Sequence, residues 1–224
     1  MALTDPTGLD FEFLGKDRDK FVEDANNRDK AQFKIKLSDK GIVEIVDKNK
    51  VDVSKLSKTE KALFDAITDT KNRAFLVGVE AQPGIDFGGF VSPYLQSKQP
   101  GVNWIDSSDM SLLRDADKTA AGEVISHEMM EAYESAKTGS LDYNTVHKAA
   151  SKLFPEPTFT ETNSLPNEKG KSTMTGYTAV WTWTRPEKDI SVRVTYTFVT
   201  PIPRASITSQ PQGNMTKIEV VKKK

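Results

Sequence analysis

The sequence predicts an α+β protein whose two ends differ in character, and three observations carry that prediction. Residues 33–46 alternate apolar and polar side chains on either side of Asp39-Lys40-Gly41, the signature of a β-hairpin. Residues 57–70 and 119–137 instead repeat their apolar side chains at helical spacing. From about residue 172 the alternation returns, now rich in aromatic and β-branched residues, which predicts a C-terminal antiparallel β-rich segment. The expected arrangement is a small mixed sheet with one long helix, followed by that β-rich segment.

The elements follow in order. Asp5-Pro6-Thr7-Gly8-Leu9 is a turn-forming run before Phe11 and Phe13, so residues 1–14 read as a junction segment. Residues 16–30 are dense in charge and carry Phe21, Val22 and Ala25 at helical spacing, which predicts a short amphipathic helix. In the hairpin, Phe33, Ile35 and Leu37 alternate with Lys34 and Lys36, and Ile42 to Val46 runs back; Val51 and Val53 are expected to extend this sheet. Ser57 and Glu60 in Ser-Lys-Thr-Glu form a capping box, and Leu63, Phe64 and Ile67 make the stripe of the helix it starts.

Residues 74–80 predict a buried strand. The Gly- and Pro-containing stretch to Gly101 predicts a loop, and its 84–89 run lacks the lysine and Ser/Thr arrangement of a phosphate loop. Val102 to Ile105 predict a short edge strand able to pair with an extended peptide. Asp106 to Asp109 and Asp115 to Thr119 predict turns and an N-cap for the helix 119–137, which Gly139 stops. Asp142 caps a second helix, 143–154, that carries His147 and ends before Pro155. The polar, Pro-containing residues 155–171 predict a loop. Ala179, Trp181 and Trp183 share one strand face, Ile190, Val192, Val194, Tyr196 and Phe198 another, and Thr216 to Val221 ends the β-rich part. The tryptophan face is expected to pack on the helical part rather than to bind a partner.

Composition excludes several classes. With 28% charged and 37% hydrophobic residues, 224 positions are enough to bury a real core. A net charge of −1 provides no global field for nucleic acid or anionic lipid, and Lys222-Lys223-Lys224 is too short to count as a patch. No apolar run reaches membrane-spanning length, and the N-terminus lacks the layout of a signal peptide. Cysteine is absent, which removes disulfides, thiolate metal sites and cysteine nucleophiles but leaves the compartment open.

One motif carries chemistry. In Ser-His127-Glu128-Met-Met-Glu131-Ala-Tyr133 a helix brings His127 and Glu131, four residues apart, to one face, where both can reach a single ion. Glu128 stands beside them as a candidate general base, and the chain's only other histidine, His147, lies on the next predicted helix. The set His127, Glu131 and His147 offers two imidazoles and a carboxylate, the donor inventory of a catalytic zinc site with one position left for water. Tyr133 and Tyr143 flank the motif as candidate oxyanion stabilisers, or pack with their hydroxyls at the surface. Asp142 is a helix cap or an orienter of His147. A surface helix whose glutamates face water is the plain alternative for the motif. For the chain as a whole the alternative is a non-catalytic binding module whose β-rich half recognises a protein partner. A metal-dependent amidase acting on cell-wall peptide is a third reading.

Two family resemblances follow from these residues. His127-Glu128-x-x-Glu131 with the downstream His147 resembles zincin-type metallopeptidases, over about residues 30–155. The usual second histidine is replaced by Glu131, and the wider string with Ala132-Tyr133 and a Tyr143-x-x-x-His147 helix is similar to a variant in uncharacterised bacterial proteins. This resemblance implies a zincin-like domain over 15–157, bound zinc, and a protein or peptide substrate, with the β-rich segment read from its alternation as an extension over 172–224. Asp5-Pro6-Thr7-Gly8-Leu9 resembles the junction after which the variable C-terminal domains of Rhs/YD-repeat proteins begin. That resemblance implies a toxin-like effector, secreted or delivered from a bacterium, with an immunity protein as partner; the alternative is residence in the cytoplasm. Neither implies nucleic acid or a membrane as partner.

Overall fold

Alternating strands and helices build the part of the chain that holds the motif. The computed structural model describes residues 11–80, 88–89 and 100–154, and the backbone of the strands 158–164, 174–185, 190–201 and 212–222. Strand β1 (Phe11–Gly15) leads into helix α1 (Arg18–Asn26), and the hairpin β2 (Ile35–Leu37) and β3 (Val43–Ile45) follows. Helix α2 (Lys58–Thr68) precedes β4 (Ala74–Val79). Next come β5 (Gly88–Gly89), β6 (Val102–Asp106), α3 (Ser107–Ala116), α4 (Lys118–Thr138) and α5 (Tyr143–Ser151). The last strands are β7 (Thr158–Ser164), β8 (Met174–Arg185), β9 (Ile190–Pro201) and β10 (Gln212–Lys222).

The protein is therefore mixed α/β. One sheet has the order β1-β4-β6-β5, with β1, β4 and β6 parallel and β5 antiparallel to β6. The hairpin β2-β3 pairs Ile35 with Ile45 and Leu37 with Val43, in the register its alternation demands. The C-terminal strands form an antiparallel sheet in the order β10-β9-β8-β7. The tryptophan-face expectation concerns side chains outside the described residues.

The core is anchored on the sheet and α4. Phe11, Phe13 and Phe21 meet edge to face, with ring centroids 5.9 and 6.2 Å apart, a geometry worth about 1 kcal/mol per pair beyond area burial. Leu63, Leu76, Ile105, Met110, Leu113, Ile125 and Met129 are fully buried around them. Helix α4 touches α1, α2, α3, α5, β4 and β6, so it is enclosed on nearly every side from Ala120 to Tyr133. That enclosure removes the reading of a surface helix whose Glu128 and Glu131 face water. Gly122 is where α1 comes closest: a Cβ there would lie 2.5 Å from Asp24 O and Arg28 N.

Several expectations change. β1 starts at Phe11, inside the segment read as a junction, because Phe11 and Phe13 fill the core. Val51 and Val53 do not extend the hairpin; residues Lys48–Lys50 and Val53–Lys55 form single 3-10 turns, the second capped by Asp52 through Ser54 N. Asp106 to Asp109 is not a turn but the start of α3, with the Asp106 carboxylate accepting from Ser108 N and Asp109 N. Turn and cap residues share one chemistry, so this string reads either way. The exposed edge expected at β6 is covered at Trp104 and Ile105 by β5. Residues 158–164, expected as loop, form β7, which fits the β preference of its alternate threonines. The rest of the 83–99 stretch lies outside the described residues.

The capping box forms by half. Ser57 Oγ accepts from Glu60 N at 3.2 Å, but the Glu60 carboxylate turns away to a buried Arg28, gripping it at 2.7 Å through both oxygens. Gln32 Oε1 supplies the acceptor for Ser57 N instead, at 2.6 Å.

Candidate metal centre

Helix capping places the motif. The Asp117 carboxylate accepts from Thr119 N and Ala120 N and starts α4, while Gly139 in the left-handed region, φ 68°, ends it. His127, Glu128 and Glu131 thus fall mid-helix, where backbone positions are firm. Asp142 accepts from Thr145 N and starts α5 three residues after Gly139, so the two helices run back against each other. Val146 and Ala150 bury against α4, and this orients His147 toward the same place.

There the three side chains meet. Glu131 Oε1 lies 2.6 Å from His147 Nδ1 and 3.3 Å from His127 Nε2. One donor atom from each of His127, Glu131 and His147 lies within 4.8 Å of the others. His127 and Glu131 are 3% and 2% exposed, whereas His147 keeps an open side. Tetrahedral zinc with bonds near 2.0 Å separates its ligand atoms by about 3.3 Å. One pair already stands at that separation, and the His147–Glu131 pair needs to open by only about 0.7 Å.

The hydrogen bonds around His127 fit a cation. Its Nδ1 sits 2.7 Å from the Phe154 carbonyl oxygen, which can only accept, so Nδ1 carries the proton. In a neutral ring the lone pair is then on Nε2, directed at a carboxylate oxygen. Two electron-rich atoms 3.3 Å apart need a second proton or a cation between them. A carbonyl holding the far nitrogen of a ligating histidine is also the usual support of metal sites. α5 ends at Ser151, earlier than the expected 154, which places Phe154 beyond the helix with its carbonyl turned to His127.

Burial pushes the Glu131 carboxyl up, but hydrogen bonds from His127 and His147 outweigh it and hold the group below its ordinary value. Glu128, 6% exposed, stands one turn away and accepts from Asn103 Nδ2 through Oε2 at 2.5 Å.

The tyrosines separate. Tyr133 donates to Asp69 Oδ2 at 2.7 Å, on the α2 side, so its hydroxyl is not directed into the cluster. Burial and then the Asp69 carboxylate raise this phenol well above its ordinary range. Tyr143 stacks on His147, ring centroids 4.7 Å apart and planes 26° off parallel, and fixes that imidazole's plane while staying half exposed. Asp142 caps α5 through Thr145. Sequence reasoning missed Asn103 and the Phe154 carbonyl. Asn103 had one signal, an amide sharing the inward face of β6 with Ile105; a backbone carbonyl has none.

Comparison with protein-family models, with curated proteins and with solved structures finds no match to the chain.

Proposed function

We propose that this protein is a zinc-dependent hydrolase of peptide bonds. The observation that carries the reading is the meeting of His127, Glu131 and His147 at one point, in a described region with no other such cluster. His127 Nε2, His147 Nδ1 and Glu131 Oε1 would hold the ion. Zinc in such a set supplies Lewis acidity, which acidifies a water and polarises a carbonyl. The protein's own groups do the rest. The Phe154 carbonyl fixes the tautomer of His127, and Tyr143 fixes the plane of His147. Glu128 takes a proton from the attacking water onto its carboxylate and returns it to the leaving amine. The open side of His147 leaves room for substrate to approach.

The choice of a peptide bond rests on the resemblance of His127-Glu128-x-x-Glu131 to metallopeptidases. The choice of zinc rests on the two-imidazole, one-carboxylate donor set. On the strength of Asp5-Pro6-Thr7-Gly8-Leu9 we assign the activity to a toxin-like effector domain that an immunity protein would restrain.

Elemental analysis after zinc loading and dialysis tests the metal. The expected result is about one zinc per chain, lost on His127→Ala. Glu128→Gln tests the chemistry: zinc stays bound, and hydrolysis of a denatured-protein substrate falls by about 100-fold or more. A folded protein that takes up no zinc ends this reading.

A further inference from the structure

We propose that Asn103 is the positioning residue that keeps Glu128 out of the coordination set and so divides the two buried carboxylates of α4 into one ligand and one base. The inference rests on the metal-site reading above and deepens it. Glu128 and Glu131 are three residues apart on one helix, which makes them neighbours on its surface. Both are buried, at 6% and 2% exposure, so neither is kept away from a cation by a preference for water. A carboxylate at either position is a competent zinc ligand. Something must choose between them.

Asn103, fully buried on β6, is placed to do so. Its Nδ2 donates to Glu128 Oε2 at 2.5 Å and to Glu131 Oε2 at 3.3 Å, and it lies 3.4 Å from the Glu128 carbonyl oxygen. Its Oδ1 accepts from Trp104 N at 3.0 Å. That bond fixes the amide's orientation, because a flipped amide would put its NH2 against a backbone N–H and its oxygen against two carboxylates. The consequence differs for the two acids. Glu131 has Oε2 held by the amide and Oε1 directed at His127 and His147, so it offers one oxygen to an ion. Glu128 gives Oε2 to the short bond and is tethered toward β6. Asn103 belongs to the sheet and the acids belong to the helix, so the tether also holds the strand and α4 in one alignment.

The test is a double-mutant cycle on the full chain with cobalt(II) as the probe, read by its visible spectrum and by competition with a chelator. The four proteins are the wild type, Glu128→Gln, Asn103→Ala and the double variant. With Asn103 present, Glu128→Gln should leave the cobalt spectrum unchanged and affinity within about twofold. With Asn103→Ala, Glu128 is no longer held toward β6 by the amide and joins the ion, and adding Glu128→Gln should change the spectrum and weaken binding by about tenfold or more. Equal effects of Glu128→Gln in both backgrounds overturn the role of Asn103 while the metal site stands. A wild type that binds no cobalt and no zinc overturns both. If Asn103→Ala fails to fold, Asn103→Ser, which keeps a polar group but cannot reach both acids, replaces it in the cycle with the same expectations.

Discussion

Replacing His127 by alanine separates the structural work of this side chain from its work as a ligand. The His127 ring is 3% exposed and bonds the Phe154 carbonyl at 2.7 Å and Glu131 Oε1 at 3.3 Å. Losing both bonds, one of them to a charged group, and leaving the carbonyl unpartnered costs about 2–4 kcal/mol. The ligand role adds a different quantity. Zinc at a free concentration one hundred times its Kd stabilises the folded wild type by about 2.7 kcal/mol. For a domain of this size that is a rise in Tm of roughly 5–11 °C. His127→Ala keeps only two protein donors, so the same zinc concentration should shift its Tm by less than about 2 °C. Thermal melts of each protein with zinc and with chelator measure the difference, and comparing shifts rather than Tm values removes the structural loss. A variant that keeps the full zinc shift would show that His127 is a buried hydrogen-bonding residue and not a ligand.

Other perturbations test the surroundings of the site. Gly122→Ala should cost about 1–3 kcal/mol in urea melts, although alanine ordinarily favours a helix, because its Cβ meets Asp24 O and Arg28 N at 2.5 Å. Arg28→Met should cost about 3–5 kcal/mol by the same measurement, since it removes the cation from the buried Glu60 carboxylate and leaves it the Gln32 N–H alone; no loss would mean that Glu60 finds a new charge partner. Burial raises the Asp69 carboxyl, but hydrogen bonds from Asn72 and Tyr133 and the Lys71 N–H outweigh it and hold the group below its ordinary 3.8. Its contribution to stability is therefore complete above that value and is lost as pH falls through the lower folded one. Tyr133→Phe removes one of those bonds and brings the folded value closer to the unfolded one, so the variant should be less stable at neutral pH and lose less further stability on acid titration, over a narrower range below 3.8, with zinc-dependent hydrolysis unchanged. A collapse of turnover at full stability would restore Tyr133 to the chemistry.

The legible parts of the fold were those set by local rules. Gly139 ends α4 because the αL position suits it, and Asp117 and Asp142 begin α4 and α5 because their carboxylates satisfy free backbone N–H groups. The β2-β3 register follows from strict alternation. Where local rules are ambiguous the reading failed. Asp106 served as the cap of α3 rather than as part of a turn, Val53 begins a 3-10 turn, and Val51 lies between the two 3-10 turns without joining the sheet. Glu60 gave up its reciprocal cap for Arg28, a partner 32 positions away that no local pattern announces.

The same division runs through the candidate site. Chain order alone determined that His127 and Glu131 share a helix face, since 3.6 residues per turn brings positions four apart together. It also supplied the second imidazole on the following helix. Only tertiary structure decided that His147 turns to Glu131, that the Phe154 carbonyl fixes the tautomer of His127, that Asn103 reaches Glu128 from β6, and that Tyr133 turns instead to Asp69. Helical periodicity is a property of neighbouring residues and is written in their spacing. The partners of a buried polar group are set by which distant segments the core brings against it, and many different spacings satisfy that requirement equally well.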